Sequence, residues 1–436
     1  MQRPTPPADE LAPAQGASHL HRAMSHLSPD TDNRTRSLPQ GLTLTVGRGG
    51  DLEGCDDRAL QAGIDYLARL GGPGTLQILP GDYEMANALY LRTGITVRGA
   101  GSDTVLHKLP SHTSTITRES DWYENRVTVE DSSGFAPGCG IMLRSYTDSG
   151  SLRKVVRDTV VGVEGKEVYL SRRPEKNFWC KDQATASTLF PVLTAEEGVC
   201  DVTVEHLVLD GHRDANEEIN GNYSGGVFLQ QCHRYLFRKV TSRSYHGDGF
   251  SFQICDDVRF ESCQALDNSN LGFHPGSGSQ RPVFSECIGD GNGQGIFFCW
   301  GVTDGLVEGG QFCDNTDYGI SIGHRDTDNR IQGARFSGNH KTGLRFREPS
   351  HVYRGGHRNV IEGCSFSDNG FAEDGVGIDI RGSTHDTTIH DCHFDGAGGQ
   401  ARQQIGVRIS EQSRGTQLAG NRFSDLEQDV VDLTAS

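Results

Sequence analysis

Short runs of apolar alternation follow a glycine eight times along the chain: GGVFLQ, DGFSFQ, LGFHPG, QGIFFC, YGISIG, TGLRFR, VGIDIR and IGVRIS. Their glycines are Gly226, Gly249, Gly272, Gly295, Gly319, Gly343, Gly377 and Gly406, with steps of 23 or 24 residues at first and longer ones for the last two. Each unit continues with a turn, a second short strand (VRFESC, PVFSEC, GLVEGG, RIQGAR, VIEGCS, TTIHDC) and a polar turn. That polar turn carries Asn268, Asn292, Asn315, Asn339 or Asn369. A fixed period of this length predicts stacked coils, whereas an antiparallel sandwich or barrel announces itself by hairpin signals without a period. Equivalent side chains of successive coils would then lie about 4.8 Å apart. The five asparagines become a hydrogen-bonded ladder, and Cys263, Cys287, Cys364 and Cys392 a second internal stack.

Alternation also assigns directions. The residue after each glycine points inward, which places Phe250, Phe273, Ile296, Ile320, Leu344, Ile378 and Val407 in the core. The next one points out, giving Ser251 and Gln253, His274, Phe297 and Cys299, Ser321, Arg345 and Arg347, Asp379 and Arg381, and Arg408.

Upstream, DDRALQAGIDYLARLGG (56–72) predicts an amphipathic helix, started by Asp and stopped by Gly-Gly, with Leu60, Ile64, Leu67 and Leu70 on one stripe. It would cap the open end of the stack, because an uncovered coil is an exposed sheet edge. GTLQILPGDYEM and ALYLRTGITVRGAG read as the first strands. Between about 111 and 197 the period is lost, and VTVEDSSGFAPGCGIMLRS with VVGVEGKEVYLSRR reads as paired strands of an insertion. The division is a loosely ordered leader (1–42), cap helix and first coils (43–110), an inserted β subdomain (111–197) and regular coils to the C-terminal end (198–436).

From about residue 43 to 430 the chain resembles the right-handed parallel β-helix superfamily, the pectate-lyase-like fold. The resemblance rests on the repeats and on the order helix, LPGDY, strand, RGAG. The fold class expected is all-β, a right-handed parallel β-helix solenoid with an N-terminal capping helix and an inserted β subdomain.

Composition narrows the partners. A formal net charge of -17 argues against nucleic acid, so any anion site must be local. Fifty-six glycines against fifteen prolines fit a chain that turns often. Twelve cysteines lack C-x-x-C spacing and read as free thiols. No apolar run reaches membrane-spanning length, and the N-terminus lacks the basic-then-apolar order of a secretory signal, which predicts a cytoplasmic protein without membrane contact. A homo-oligomer stays open.

The outward face is basic for so acidic a chain, and it shares its surface with His274 and Trp300. HGDGFSFQ contributes Asp248 and Gln253, NLGFHPGSGSQR contributes His274 and Arg281, and TGLRFREP contributes Arg345, Arg347 and Glu348. Asp248 stands where other coils carry Leu271, Tyr318, Val376 or Ile405, so it points partly inward and needs hydrogen-bond partners. The strand GISIG runs straight into HRDTDN, where His324, Arg325, Asp326 and Asp328 border the expected groove. That run has the spacing of a divalent-cation site, and equally of a turn whose carboxylates accept backbone amides.

Members of the superfamily mostly bind or cleave polysaccharides, so the resemblance implies an oligo- or polysaccharide substrate. GDG and LRFR are similar to parts of the polygalacturonase motifs, the groove arginines to those of pectate lyases, and GFHPG to a stretch of mannuronan epimerases; no one branch accounts for all of them. The first reading is β-elimination or epimerisation of a uronate-type glycan, with His274 as base and Arg345, Arg347 or Arg381 on the carboxylate. The second is a glycosidase using a pair among Asp248, Asp326, Glu348 and Asp379. The third is a non-catalytic β-helix that binds glycan. Catalytic candidates are therefore His274, Asp248, His324, Asp326, Arg345, Arg347 and Glu348, and substrate-binding candidates Gln253, Arg281, Trp300, Arg325, Asp379 and Arg381.

Overall fold

Gly249, Gly272, Gly295, Gly319, Gly343 and Gly377 meet the next coil too closely for any side chain. A Cβ on each would lie 2.6 to 2.9 Å from the carbonyl oxygen of the following repeat glycine. The glycines therefore occupy matching sites, and the strands behind them pair in parallel with Phe250, Phe273, Ile296, Ile320, Leu344, Ile378 and Val407 in one continuous register. All seven are fully enclosed, as the alternation predicts.

The computed structural model describes residues 41–218, 221–396 and 403–434, so the predicted leader lies outside the described residues except for positions 41 and 42. An 11-stranded parallel sheet runs from Leu89–Leu91 to Gln428–Asp432 and is called the groove sheet below. A 16-stranded sheet forms a second wall, and a four-stranded ladder of Arg335–Ser337, Ser365–Ser367, His393–Asp395 and Arg422–Ser424 a third. The result is a parallel β-helix.

Stacked rings fill its interior. Phe260 lies between Phe237 at 5.0 Å and Phe284 at 5.2 Å, and Phe366 between Phe336 at 4.7 Å and Phe394 at 4.9 Å. Each enclosed ring contributes roughly 1.5–3 kcal/mol of hydrophobic stabilisation before its share of chain entropy is subtracted. The asparagine ladder forms at the turn leading into the groove sheet. Asn268 Nδ2 donates to Asn292 Oδ1, Asn315 to Asn339 and Asn339 to Asn369, each at 2.9 Å. Between them, the Asn292 backbone N–H donates to Asn315 Oδ1 at 3.0 Å. All twelve cysteines are free, and Cys263, Cys287, Cys364 and Cys392 are buried.

The capping helix spans Asp57–Arg69, with the Asp56 carboxylate accepting the Ala59 N–H at 2.9 Å. Leu60, Ile64 and Leu67 are buried against the first coils, but Leu70 is exposed. The predicted stripe overruns by one residue because Leu70 is already the C-cap, followed by Gly71 at φ 73°.

Residues 113–187 contribute a separate antiparallel sheet of six strands with its own core around Ile141, Leu143, Val168 and Phe178. Its long strand Leu152–Glu164 approaches the groove sheet, where Arg157 lies 4.3 Å over the Phe228 ring. No helix among the described residues is long and apolar enough to cross a membrane.

Candidate functional site

Asp248 ends the turn before the strand Phe250–Gln253, and His274 stands on the outward side of Leu271–Gly276 in the next coil. The imidazole Nδ1 lies 2.8 Å from Asp248 Oδ2, while Asp248 Oδ1 accepts the Leu271 N–H at 3.2 Å. The carboxylate that points inward thus has the partners its burial demands. A carboxylate acceptor keeps the proton of the neutral ring on Nδ1 and leaves Nε2 as a lone pair. Nε2 has no hydrogen-bond partner and no solvent contact, and the His274 side chain is only 8% exposed. Buried polar atoms without partners are rare, and catalytic sites are one place where they persist.

The same outward row continues on both sides. Ser251 Oγ lies 3.5 Å from His274 Nδ1 and donates to Asn222 Oδ1 at 3.0 Å. Gln253 reaches Ser251 Oγ with its amide at 3.4 Å and lies over Gly276, where a Cβ would collide with it. In the other direction Phe297 meets the His274 ring edge-on at 5.4 Å, and the Arg347 guanidinium sits 4.2 Å from the Phe297 centroid.

Arg347 is the hub of the HRDTDN turn. It donates to Ser321 Oγ at 2.7 Å, Phe298 O at 2.6 Å, Asp326 Oδ2 at 3.0 Å and His324 Nδ1 at 3.4 Å. That uses four of the five N–H groups of a guanidinium. Asp326 is wholly enclosed and accepts the Gly301, Val302 and Gly323 amides at 2.9, 3.0 and 2.9 Å. Burial raises its carboxyl above the usual range, against the pull of Arg347. Trp300, 47% exposed, and His324 face each other with ring centroids 5.1 Å apart. Desolvation, followed by Arg347, Arg354 and Arg325, pulls the imidazole of His324 below its ordinary value.

This corrects two expectations about the turn. His324, Asp326 and Asp328 do not converge as cation ligands: Asp326 is spent on backbone amides and Arg347, while Asp328 is held bidentately by Arg358 at 2.7 and 2.6 Å. Among the described residues no three or more His, Cys, Asp or Glu side chains are grouped to hold a metal ion. Asp326 is likewise closed to substrate as an acid or base. Arg325 is exposed, at φ 73°, and its backbone N–H is spent on Arg354 O.

Farther along the groove sheet, Arg345 lies 4.8 Å over the Tyr318 ring with its Nε buried and unpaired. Burial, then Arg381, lowers its guanidinium from the ordinary value. Asp379 is enclosed between Arg381, at 2.5 Å, and Arg408, at 2.9 and 2.8 Å. Burial opposes ionisation there, but the two arginines outweigh it and hold the carboxyl low. Glu348 is exposed and lines a shallow concavity with Asp379, Arg381 and Arg408. Arg281 is not on this face. It follows the strand, at φ 53°, in the turn toward the 16-stranded sheet, where Asp257 takes both its Nε at 2.7 Å and its Nη2 at 3.0 Å. Its counterparts in other coils, Arg234 with Asp201 and Arg358 with Asp328, form the same kind of corner pair.

Alternation places these side chains outward but does not make them solvated. Ser251, His274, Ser321 and Asp379 are buried, because neighbours in a row of hydrogen-bonded strands cover one another. A concavity on the same face was missed altogether. It lies between Leu152–Glu164 and the strands of Tyr90, Thr194 and Phe228, and is lined by Arg153, Lys154, Arg157, Arg172 and Lys176. The available signal was LRKVVR followed by SRRPEK, a local basic cluster in an acidic chain.

The family described as right handed beta helix region matches residues 215–312 and 295–436. No curated protein matches the chain by sequence. Among solved structures, the chain is similar to the A-module of the Azotobacter vinelandii mannuronan C-5 epimerase AlgE4, at 16% identity and TM-score 0.56 over 88% of this chain and 97% of that one. The A-module of AlgE6 from the same organism matches at 17% identity and TM-score 0.53, over 86% and 91%. PfbA, a Streptococcus pneumoniae surface protein and adhesin, matches at 12% identity and TM-score 0.51, over 86% and 95%. At such identities the likeness is one of fold. With the family matched over more than half its length, the chain belongs to the right-handed β-helix family.

Proposed function

We propose that the protein is a carbohydrate-active enzyme that removes the C5 proton of a uronate-type sugar, leading to β-elimination or epimerisation. The observation that carries this reading is the His274–Asp248 pair, 2.8 Å apart, with Nε2 unpaired on the outward side of the groove sheet. A neutral imidazole with its tautomer fixed by a carboxylate is suited to general-base work near neutral pH.

In this chemistry Nε2 takes the proton from C5, and the electron pair of the C–H bond spreads into the adjacent carboxylate. Collapse of that intermediate expels the C4 oxygen, which takes the proton from the imidazolium, in elimination; in epimerisation a solvent proton is delivered to C5 from the opposite face and the imidazolium returns its proton to solvent. The positive charge brought toward the imidazole is Arg347, through Phe297. With four of its N–H groups engaged it acts as a positioning residue and leaves one N–H for substrate. Arg345 lies three strands from His274, about 14 Å, which suits a neighbouring sugar of the same chain. Asn222, in the short turn Gly221–Tyr223, accepts from the Ser251 hydroxyl on the Nδ1 side of the ring.

A glycosidase is less well supported, because Asp326 and Asp379 are enclosed and tied to arginines.

The test is to incubate the protein with acidic and neutral glycans in deuterated water. Elimination gives an ultraviolet-absorbing unsaturated end, epimerisation gives deuterium at C5 without cleavage, and hydrolysis gives new reducing ends alone. His274→Ala with unchanged turnover would remove the base from the mechanism.

A further inference from the structure

We infer that the cavity between the six-stranded sheet and the first strands of the groove sheet is an anion-recognition subsite, and that it selects an acidic oligosaccharide carrying two or more carboxylate or sulfate groups. The inference rests on the glycan reading above and names the part of the molecule that recognises the charge.

The cavity has a volume of about 440 Å³, and five cationic side chains line it against one carboxylate, Glu196. Two of the cations are compensated locally: Arg172 meets Glu196 at 3.2 Å, and Arg153 meets Asp182 at 3.2 Å. Among the described residues the other three form no ion pair with a carboxylate. Arg157 Nη1 donates to Thr194 Oγ1 at 3.2 Å, Lys154 Nζ to Asn177 O at 2.8 Å and Lys176 Nζ to Val155 O at 3.1 Å, all neutral acceptors. Three uncompensated cations around one concavity, in a chain of formal charge -17, make a local positive potential that concentrates anions.

The remaining walls suit a sugar. Arg157 covers the Phe228 ring at 4.3 Å, and Tyr223 packs against the same ring at 5.4 Å. Tyr90, whose hydroxyl burial keeps protonated, lines the cavity with Asn222 and Gln230. Position ties the cavity to the imidazole. Phe228 pairs with Ser251 and Ser251 with His274, a separation of two strands or about 10 Å, which is the reach of a disaccharide. Asn222 belongs to both places, lining the cavity and accepting from the Ser251 hydroxyl beside His274.

The test is calorimetric titration of the full chain with uronate trisaccharides, sulfated trisaccharides and a neutral trisaccharide of equal length, at low and high salt. The uronate or the sulfated ligand should bind at least about tenfold more tightly than the neutral one, with affinity falling as salt rises. The double variant Lys154→Gln, Lys176→Gln should lose about tenfold or more of that affinity, and Arg157→Gln should do the same, with circular dichroism unchanged. Whichever anionic arm binds identifies the substituent. Equal affinity for the neutral sugar, no binding of any ligand, or anion binding unaffected by both cavity variants overturns the inference. Charge-selective binding lost in the cavity variants, with no cleavage and no deuterium uptake in the parent, would leave the subsite standing and remove the catalytic reading instead.

Discussion

Arg347 Nη2 and Asp326 Oδ2 lie 3.0 Å apart, with the two side chains 14% and 0% exposed, so one enclosed ion pair ties a groove strand to the turn one coil earlier. The turn that looked most like reactive chemistry is held by its own charges.

Removing one partner leaves the other buried without compensation. Asp326→Ala also strips the acceptor from the Gly301, Val302 and Gly323 amides. The expected loss is about 3–5 kcal/mol in urea unfolding. A cost below about 1 kcal/mol would mean that the pair is not the brace described.

Asp248→Asn separates a tautomer effect from a folding effect. The amide can still accept the Leu271 N–H through its oxygen, while its nitrogen donates to His274 Nδ1 and moves the ring proton to Nε2. C5 proton removal should fall by about 10³ to 10⁴, as in other base dyads stripped of their carboxylate, with a near-native unfolding midpoint. Loss of the fold at 25 °C would assign Asp248 a structural role.

The glycine ladder predicts a position-specific cost. Gly295→Ala places a methyl group 2.6 Å from Gly319 O and should cost about 1–3 kcal/mol, whereas Gly72→Ala meets nothing within 4 Å and should stay within about 0.5 kcal/mol. Thermal unfolding of the two variants side by side decides it; equal midpoints contradict the close approach of the coils.

Lys108 gives a pH dependence. Its Nζ is buried against Leu109 O at 2.7 Å and Thr188 O at 3.1 Å, and desolvation lowers the ammonium from 10.5 to about 7. Between those values the unfolded chain binds more protons than the folded one, so folding stability rises with pH. Below about 7 the penalty is present in full. Compared with Lys108→Met, the parent should therefore gain stability from pH 7 to 10.5, at up to roughly 1.4 kcal/mol per unit. A flat difference across that window rules the lysine out as its source.

The coils were legible because the solenoid repeats its constraints. Phe273 follows Gly272 as Ile296 follows Gly295, and each coil imposes the same inward position and the same close approach on its neighbour. The same alternation places His274 on the outward side and Asp248 partly inward, as the structure has them. Arg281 was misplaced because the Gly/Ser loop after His274 turns away from the groove sheet and leaves Arg281, at positive φ, paired with Asp257. Arg157, Lys154 and Lys176 were missed because the insertion has no period, and a lone basic cluster carries no direction until the sheet that bears it is set against something.

By itself, then, the sequence determined the repeat, the inward face, the asparagine ladder and the capping helix, all of which follow from contacts between residues one coil or one helical turn apart. Only the tertiary structure decided that Asp326 is consumed by three amides and a guanidinium, that His274 keeps one nitrogen unpaired, and that five cationic side chains line one concavity with Phe228. The physical reason is range: local periodicity fixes which way a side chain leaves the backbone, whereas its partners and its exposure depend on segments far away in the chain that share no period with it.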